Sequence, residues 1–256
     1  MSKLRILLAN DDGVYAPGLA ALEQQLRHLG EVVVVAPMTE QSGVGHSITF
    51  LTPLTAKSIH RDGHHWAWAV DGSPADCVKL AIGQLYQEQP FDLVVSGINH
   101  GLNAGINVLY SGTVAAAVEG AFFGVTSVAV SLEYDEDADF QAAAVIARNA
   151  ISGLISRPES RGGLFNLNIP TAATAGPSEL KVVPMGLEQY GRRYEKRTDP
   201  HGRNYYWALW TEPEQPPPES ADVIQLREGN VTLTPLRFDL TDPARLQQMR
   251  DWDLRT

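Results

Sequence analysis

"ILLANDDGVYAPG", residues 6–18, sets an apolar run directly against two adjacent carboxylates, Asp11 and Asp12. Leu4–Ala9 reads as a buried strand. Side-by-side carboxylates repel each other, and each resists losing its water. On a solvated turn such a pair carries no meaning. At the mouth of a buried strand its repulsion calls for a divalent cation, and other oxygen ligands should then lie elsewhere in the chain.

Working outward, Leu19, Leu22, Leu26 and Leu29 repeat at helical spacing, with Gly30 predicted to end that helix. "EVVVVAP" is β-branched without polar alternation, as in a parallel strand buried on both faces. Shorter strands follow over about 48–71, turning at Asp62-Gly63. Ser73 and Pro74 then cap and open a helix. "DLVVSG", "SVAVSL" and "LFNLNIP" read as strands, "GTVAAAVEGAFFG" and "ADFQAAAVIARNAISGLI" as helices. This alternation predicts an α/β fold, a Rossmann-like and mostly parallel sheet flanked by helices. After about residue 175 prolines and aromatics rise, and "EPEQPPPES" reads as a loop. "VIQLREGNVTLTPL" reads as two strands around Glu228-Gly229-Asn230. The tail is an excursion from one core.

The chain has 256 residues, is 44% hydrophobic and carries a formal charge of -10. The length suits one large α/β core. The charge argues against duplex nucleic acid as a partner but leaves room for a small anion at a local site. Cys77 is the single cysteine, so no intramolecular disulfide forms, which fits a reducing cytosol. The first apolar run is too short for a signal segment, and no stretch approaches the ~18 apolar residues of a membrane span. The expectation is a cytoplasmic protein without a membrane partner.

In parallel sheets, ligands gather at the carboxyl ends of strands. Three predicted loops bring polar groups there: Asp11 and Asp12; Ser42 and His46 in "MTEQSGVGHS"; Ser96, Asn99, Asn103 and Asn107 in and after "SGINHGLNAG". Carboxylate, hydroxyl and amide oxygens suit Mg²⁺ or Mn²⁺. Ser111, Gly112 and Thr113 in "YSGTVAAAVEG" stand at a helix start, where free N–H groups and the helix dipole favour an anion. A metal beside such an anion seat points to phosphoryl chemistry. Taken singly, each residue has a plainer reading. Asn99 and Asn103 could build turns, Ser111 could be only a cap, and His46 could be a loop histidine. Their combination at one sheet edge carries the case.

"ILLANDDGVYAPGLAAL", "VVVVAPMTEQSGVGHSIT", "DGSPADCVKLAI", "DLVVSGINHGLNAG" and "YSGTVAAAVEGAFFG" closely resemble the SurE family. These are the stationary-phase survival proteins that act as 5′/3′-nucleotidases. "DPHGRNYYWALW" and "ADVIQLREGNVTLTPLRFDLT" extend the resemblance over nearly the whole chain. It implies a metal-dependent phosphomonoesterase acting on nucleoside monophosphates, with short polyphosphate as a further substrate. It also implies one divalent ion, Mg²⁺ or Mn²⁺, per subunit. The family's metal ligands fall on Asp11, Asp12, Ser42 and Asn99, with both aspartates catalytic. Its phosphate-binding triplet falls on Ser111, Gly112 and Thr113. Asn10, Gly43, His46 and Asn103 complete the expected substrate contacts. A homodimer or homotetramer is implied, built by a hairpin over about 186–211 and a C-terminal segment over 220–256, both parts of a single domain 1–256. His46 stands where relatives often carry asparagine, and His100 where a small residue is usual.

Two other classes fit less well. A receiver-like signalling domain would share the acidic pair but needs a late acceptor aspartate and a lysine. Asp92 begins its strand, and "SVAVSLEYDEDAD" offers no lysine. A dinucleotide-binding domain would need glycines where "NDDGVYAPG" places acid.

Overall fold

In a computed structural model, residues 3–187, 193–209 and 217–253 are described. The expected hairpin, the proline-rich stretch and the C-terminal segment each fall partly outside these ranges. Strand β1 (Leu4–Ala9) leads into helix α1 (Pro17–Leu26), then strand β2 (Gly30–Pro37). A hairpin of β3 (Ala56–Arg61) and β4 (His64–Val70) follows, turning at Asp62-Gly63 with positive φ at both residues. Helix α2 (Pro74–Leu80), strand β5 (Leu93–His100), helix α3 (Gly112–Phe122) and strand β6 (Thr126–Leu132) continue the alternation. Helix α4 (Phe140–Ile155), strand β7 (Leu164–Ile169), short helix α5 (Thr171–Ala175) and strand β8 (Leu180–Val182) come next. The tail contributes β9 (Arg193–Thr198), β10 (Asn204–Leu209), α6 (Asp222–Arg227), β11 (Val231–Leu236) and α7 (Pro243–Met249).

The main sheet has nine strands in the order β3-β4-β2-β1-β5-β6-β7-β11-β8. Its β1–β2, β1–β5, β2–β4, β5–β6, β6–β7 and β8–β11 pairs are parallel, while β3–β4 and β7–β11 are antiparallel. Strand periodicity divides the core. Ile6 and Leu8 pack with Leu19, Leu22 and Leu26 of α1 and Ala143, Ala147 and Ile151 of α4. Leu7 and Ala9 face the other way, onto Cys77 and Val78 of α2 and Ala116 of α3. Each fully buried leucine contributes about 1.5–3 kcal/mol. Burial on both faces explains why β1 and β2 show no polar alternation. Ser73 and Asp76 cap α2 reciprocally.

Two expectations are corrected. Helix α1 stops at Leu26, not at Gly30, which already begins β2 opposite Leu4. "VIQLR" is helical, not a strand. Its "turn" is a helix stop: Gly229 has φ +84°, its N–H donates to the Leu226 carbonyl (2.9 Å), and Asn230 N–H donates to the Gln225 carbonyl (3.0 Å). This pairing closes a helix through a glycine that adopts the left-handed conformation without cost. At the other end, the buried Asp222 carboxylate accepts N–H bonds from Gly105 (2.8 Å), Gly186 (2.9 Å) and Val223 (2.8 Å). These long-range contacts override the β propensity of the segment. β11 and β8 nonetheless join the main sheet, so the tail extends one core. Among the described residues no helix is long and apolar enough to cross a membrane.

Candidate active site

The chain steps from β1 outward to β2 on one side and returns to β5 on the other. Loops leaving β1 and β5 therefore diverge and leave a crevice at the carboxyl edge. A cleft of about 400 Å³ opens there, lined by Asp11, Asp12, Glu40, Ser42, Gly43, Asn99, His100, Leu102, Asn103, Asn107, Tyr110, Ser111 and Tyr134. Asp11 and Asp12 follow β1, Ser42 and Gly43 follow β2, and Asn99 closes β5 where its register with β6 shifts between Ser96 and Asn99. Bulges of this kind re-aim side chains beside active sites.

The loop after β5 is held from below. Asn103 donates its N–H to Asn168 Oδ1 (2.8 Å) and its side-chain amide to Ser131 Oγ (2.8 Å). Its carbonyl accepts from Asn166 (2.7 Å). Asn99 donates to the Gly101 carbonyl (2.6 Å) through its amide nitrogen.

Burial pushes the Asp11 carboxyl above its usual range, although bonds from Thr113 pull the other way. Asp12 is pushed up to about 6, by burial first and by the Asp11 charge second. The Thr113 N–H donates to Asp11 Oδ2 (3.1 Å), and the Thr113 hydroxyl donates to Asp11 Oδ1. The start of α3 is thus fastened to Asp11. Gly112 permits this approach: a Cβ there would meet Asp11 Cβ and Pro74 Cγ at 3.0 Å.

Four expected residues stand outside the cleft lining. Asn10 is fully buried and donates to the Gly13 carbonyl (2.9 Å), holding the turn that presents the aspartates. Gly112 and Thr113 lie beneath Asp11. His46 turns away to Glu119 Oε2 (2.8 Å), which also accepts from Lys79 through Oε1 (3.0 Å). Burial alone would push Glu119 up, but the bonds and charges of His46 and Lys79 hold it below the usual range. Ser96, also singled out in the sequence, is fully buried below the cleft.

Sequence reasoning passed over Glu40, which accepts the Ser42 hydroxyl (2.5 Å), and Tyr134, and it marked His100, which stacks on Tyr134, only as a departure from the family pattern. Glu40 was accessible as the acid just after β2. Tyr134 becomes a cleft residue only through the β5–β6 pairing.

Among the described residues no three His, Cys, Asp or Glu side chains converge as a metal-binding group. A cation here would depend on hydroxyl and amide oxygens beside two carboxylates. That all-oxygen donor set fits a hard divalent ion, whose charge would offset both the burial and the Asp11 repulsion that raise Asp12.

Fold and site together define a Rossmann-like α/β protein with an acidic cleft set against a helix start. The model of the family described as "Survival protein SurE" matches residues 6–192. The chain is 75% identical over 252 residues to a protein named 5′-nucleotidase SurE from Rhodopirellula baltica, covering 98% of this chain and 100% of that one. A protein of the same name from Heliobacterium modesticaldum is 41% identical, with 97% and 92% covered. The crystal structure of the SurE protein from Aquifex aeolicus superposes with a TM-score of 0.84 at 38% identity, covering 96% of this chain and 98% of that one. This chain belongs to the SurE family.

Proposed function

We propose that this chain is a divalent-metal-dependent phosphomonoesterase that hydrolyses nucleoside monophosphates. The observation that carries this reading is the pair Asp11 and Asp12 lining one cleft, with Asp11 bonded to Thr113 at the start of α3. The naming of its relatives as 5′-nucleotidases points the same way.

Asp11, Asp12, Ser42 and Asn99 would hold the cation, Mg²⁺ or Mn²⁺, which when bound supplies positive charge to phosphoryl oxygens. Ser111 lines the cleft while its Oγ caps α3 by accepting the Val114 N–H (3.0 Å); its hydroxyl proton and the positive end of α3 would favour the phosphate dianion. Asn107 would offer its amide to ester oxygens, and Asn103, whose amide donates one N–H to Ser131 Oγ, has a second for the same use. Asp12, whose carboxyl is pushed up to about 6 by burial and then by Asp11, would handle the proton of an attacking water. The cleft lining contains no lysine, which disfavours the receiver reading. Phosphate release from a panel of nucleoside monophosphates, with and without chelator, tests the assignment. Chelator-insensitive release, or none from any nucleotide, would sink it.

The assembly reading rests on separate features. The β9–β10 hairpin is exposed along both strands, and α7 buries none of its residues. An apolar cavity of about 860 Å³ runs along α3 past Val114, Val118 and Phe122 to Phe238 and Leu240. An isolated two-stranded ribbon is marginal in water. Both the arm and the C-terminal segment therefore dock on further copies of the chain, giving a homodimer or homotetramer.

A further inference from the structure

His100 ends β5 beside the acidic pair, its N–H directed at Asp12 Oδ2 (3.4 Å). Its ring lies on Tyr134 with centroids 4.5 Å apart and planes 22° from parallel. Phe140 meets the same imidazole edge-on at 5.4 Å. Nε2 is hydrogen-bonded at Asp135, 2.9 Å from its carbonyl oxygen and 3.4 Å from its backbone nitrogen. This bond and the two rings fix the imidazole plane, and through it the plane of Tyr134.

Tyr134 itself is not a core residue. Its side chain is 66% exposed, and its one ring partner among the described residues is His100. The residues that follow it, Asp135, Glu136 and Asp137, are acidic and provide no apolar packing. Tyr110, 61% exposed, lines the same cleft immediately before Ser111. None of these aromatics serves phosphoryl chemistry, which needs charge and hydrogen bonds rather than ring faces.

We propose that Tyr134, backed by His100, forms with Tyr110 a base-stacking subsite at the mouth of the cleft, and that it takes the purine ring of a nucleoside monophosphate. The inference rests on the nucleotidase reading and adds to it the part of the substrate that is recognised. Rings held in a fixed plane bind a flat heterocycle with little loss of side-chain freedom. Base-on-aromatic stacking typically changes affinity by roughly 10-fold or more per base. Purines exceed pyrimidines because they cover more ring area. A cleft of about 400 Å³ is of the size that holds a small organic ligand.

The test compares adenosine 5′-monophosphate with ribose 5-phosphate, which shares the ester but lacks the base. In Tyr134→Leu the ratio of the two kcat/KM values should fall roughly 10-fold, chiefly through KM for the nucleotide, and Tyr134→Phe should restore it. Adenosine binding measured by calorimetry should weaken by the same factor in the leucine variant. The wild-type preference for purine over pyrimidine monophosphates should shrink in parallel. An unchanged ratio together with unchanged adenosine affinity overturns the subsite and leaves the phosphatase reading standing. If the wild type cleaves neither ester, the function it rests on fails, and the adenosine titration still decides the subsite by itself.

Discussion

Asp11 accepts two hydrogen bonds from Thr113, a residue 102 positions later in the chain. One comes from the backbone and one from the hydroxyl. The first strand and the third long helix are therefore joined at the point where each presents its charge. A change at Asp11 removes the acceptor of both Thr113 bonds at the helix start.

Asp11→Asn or Asp12→Asn should reduce phosphate release by about 100-fold or more while keeping the fold. Mn²⁺ affinity, read by calorimetry, should fall with activity, since each change removes half of the site's formal charge. Full activity of either variant at limiting metal would remove the pair from the site.

Thr113→Val keeps the shape of the side chain and deletes its hydroxyl. Asp11 loses a donor that favours its charged form, so its carboxyl should rise further. Catalysis should drop by about 1–3 kcal/mol of transition-state stabilisation, and inhibition by inorganic phosphate should weaken. Unaltered phosphate inhibition would restrict the hydroxyl to capping.

Asp12 gives a pH dependence with a definite sign. Its folded value is raised from 3.8 to about 6, so the protonated form is the one the fold favours. The stabilisation is present below about pH 3.8 and is lost as pH rises through about 6. Metal-free Asp12→Asn should therefore be more stable than wild type at pH 7.5, by on the order of 1–3 kcal/mol once solvent screening is allowed for. The difference should close near pH 4, and saturating Mg²⁺ or Mn²⁺ should invert it. Thermal melts of both proteins across this range would show it.

Glu119 is 2% exposed and ties His46, on the Ser42 loop, to Lys79 on α2. Its carboxyl is held low, so its contribution is present above the usual glutamate range and lost as pH falls through the folded value. Glu119→Gln should cost about 1–3 kcal/mol at neutral pH. It should also loosen the segment bearing Ser42 and Gly43, lowering kcat and metal affinity together. His46→Asn, which can still donate one bond, should retain more of both. Unchanged kcat and metal affinity in Glu119→Gln would deny the tether this role.

Replacing residues 194–205 of the arm by a short Gly-Ser turn should reduce the assembly mass seen by light scattering. Tyr194 and Tyr205, at 64% and 41% exposure, are the aromatic surfaces it would withdraw. An unchanged mass with lost activity would assign the arm to substrate binding instead.

Local patterns determined much of this protein. β-branched runs without alternation marked strands covered on both faces, and Ser73-Pro74 marked a helix start, because burial and capping act over a few residues. The acidic pair after a buried strand marked the cleft, since strand ends in a parallel sheet place loops at one edge. Other features required the folded chain. "VIQLR" became a helix through Asp222 contacts with Gly105 and Gly186, a decision that no window of neighbouring residues contains. His46 pointed to Glu119 and not into the acidic cleft, because α3 carries that carboxylate to the far side of the loop. Tyr134 met His100 because β5 and β6 pair in parallel with a register shift. Sequence reports what each residue favours locally. Which distant groups satisfy a buried charge, or stack on a ring, is settled only when tertiary packing sets their distances.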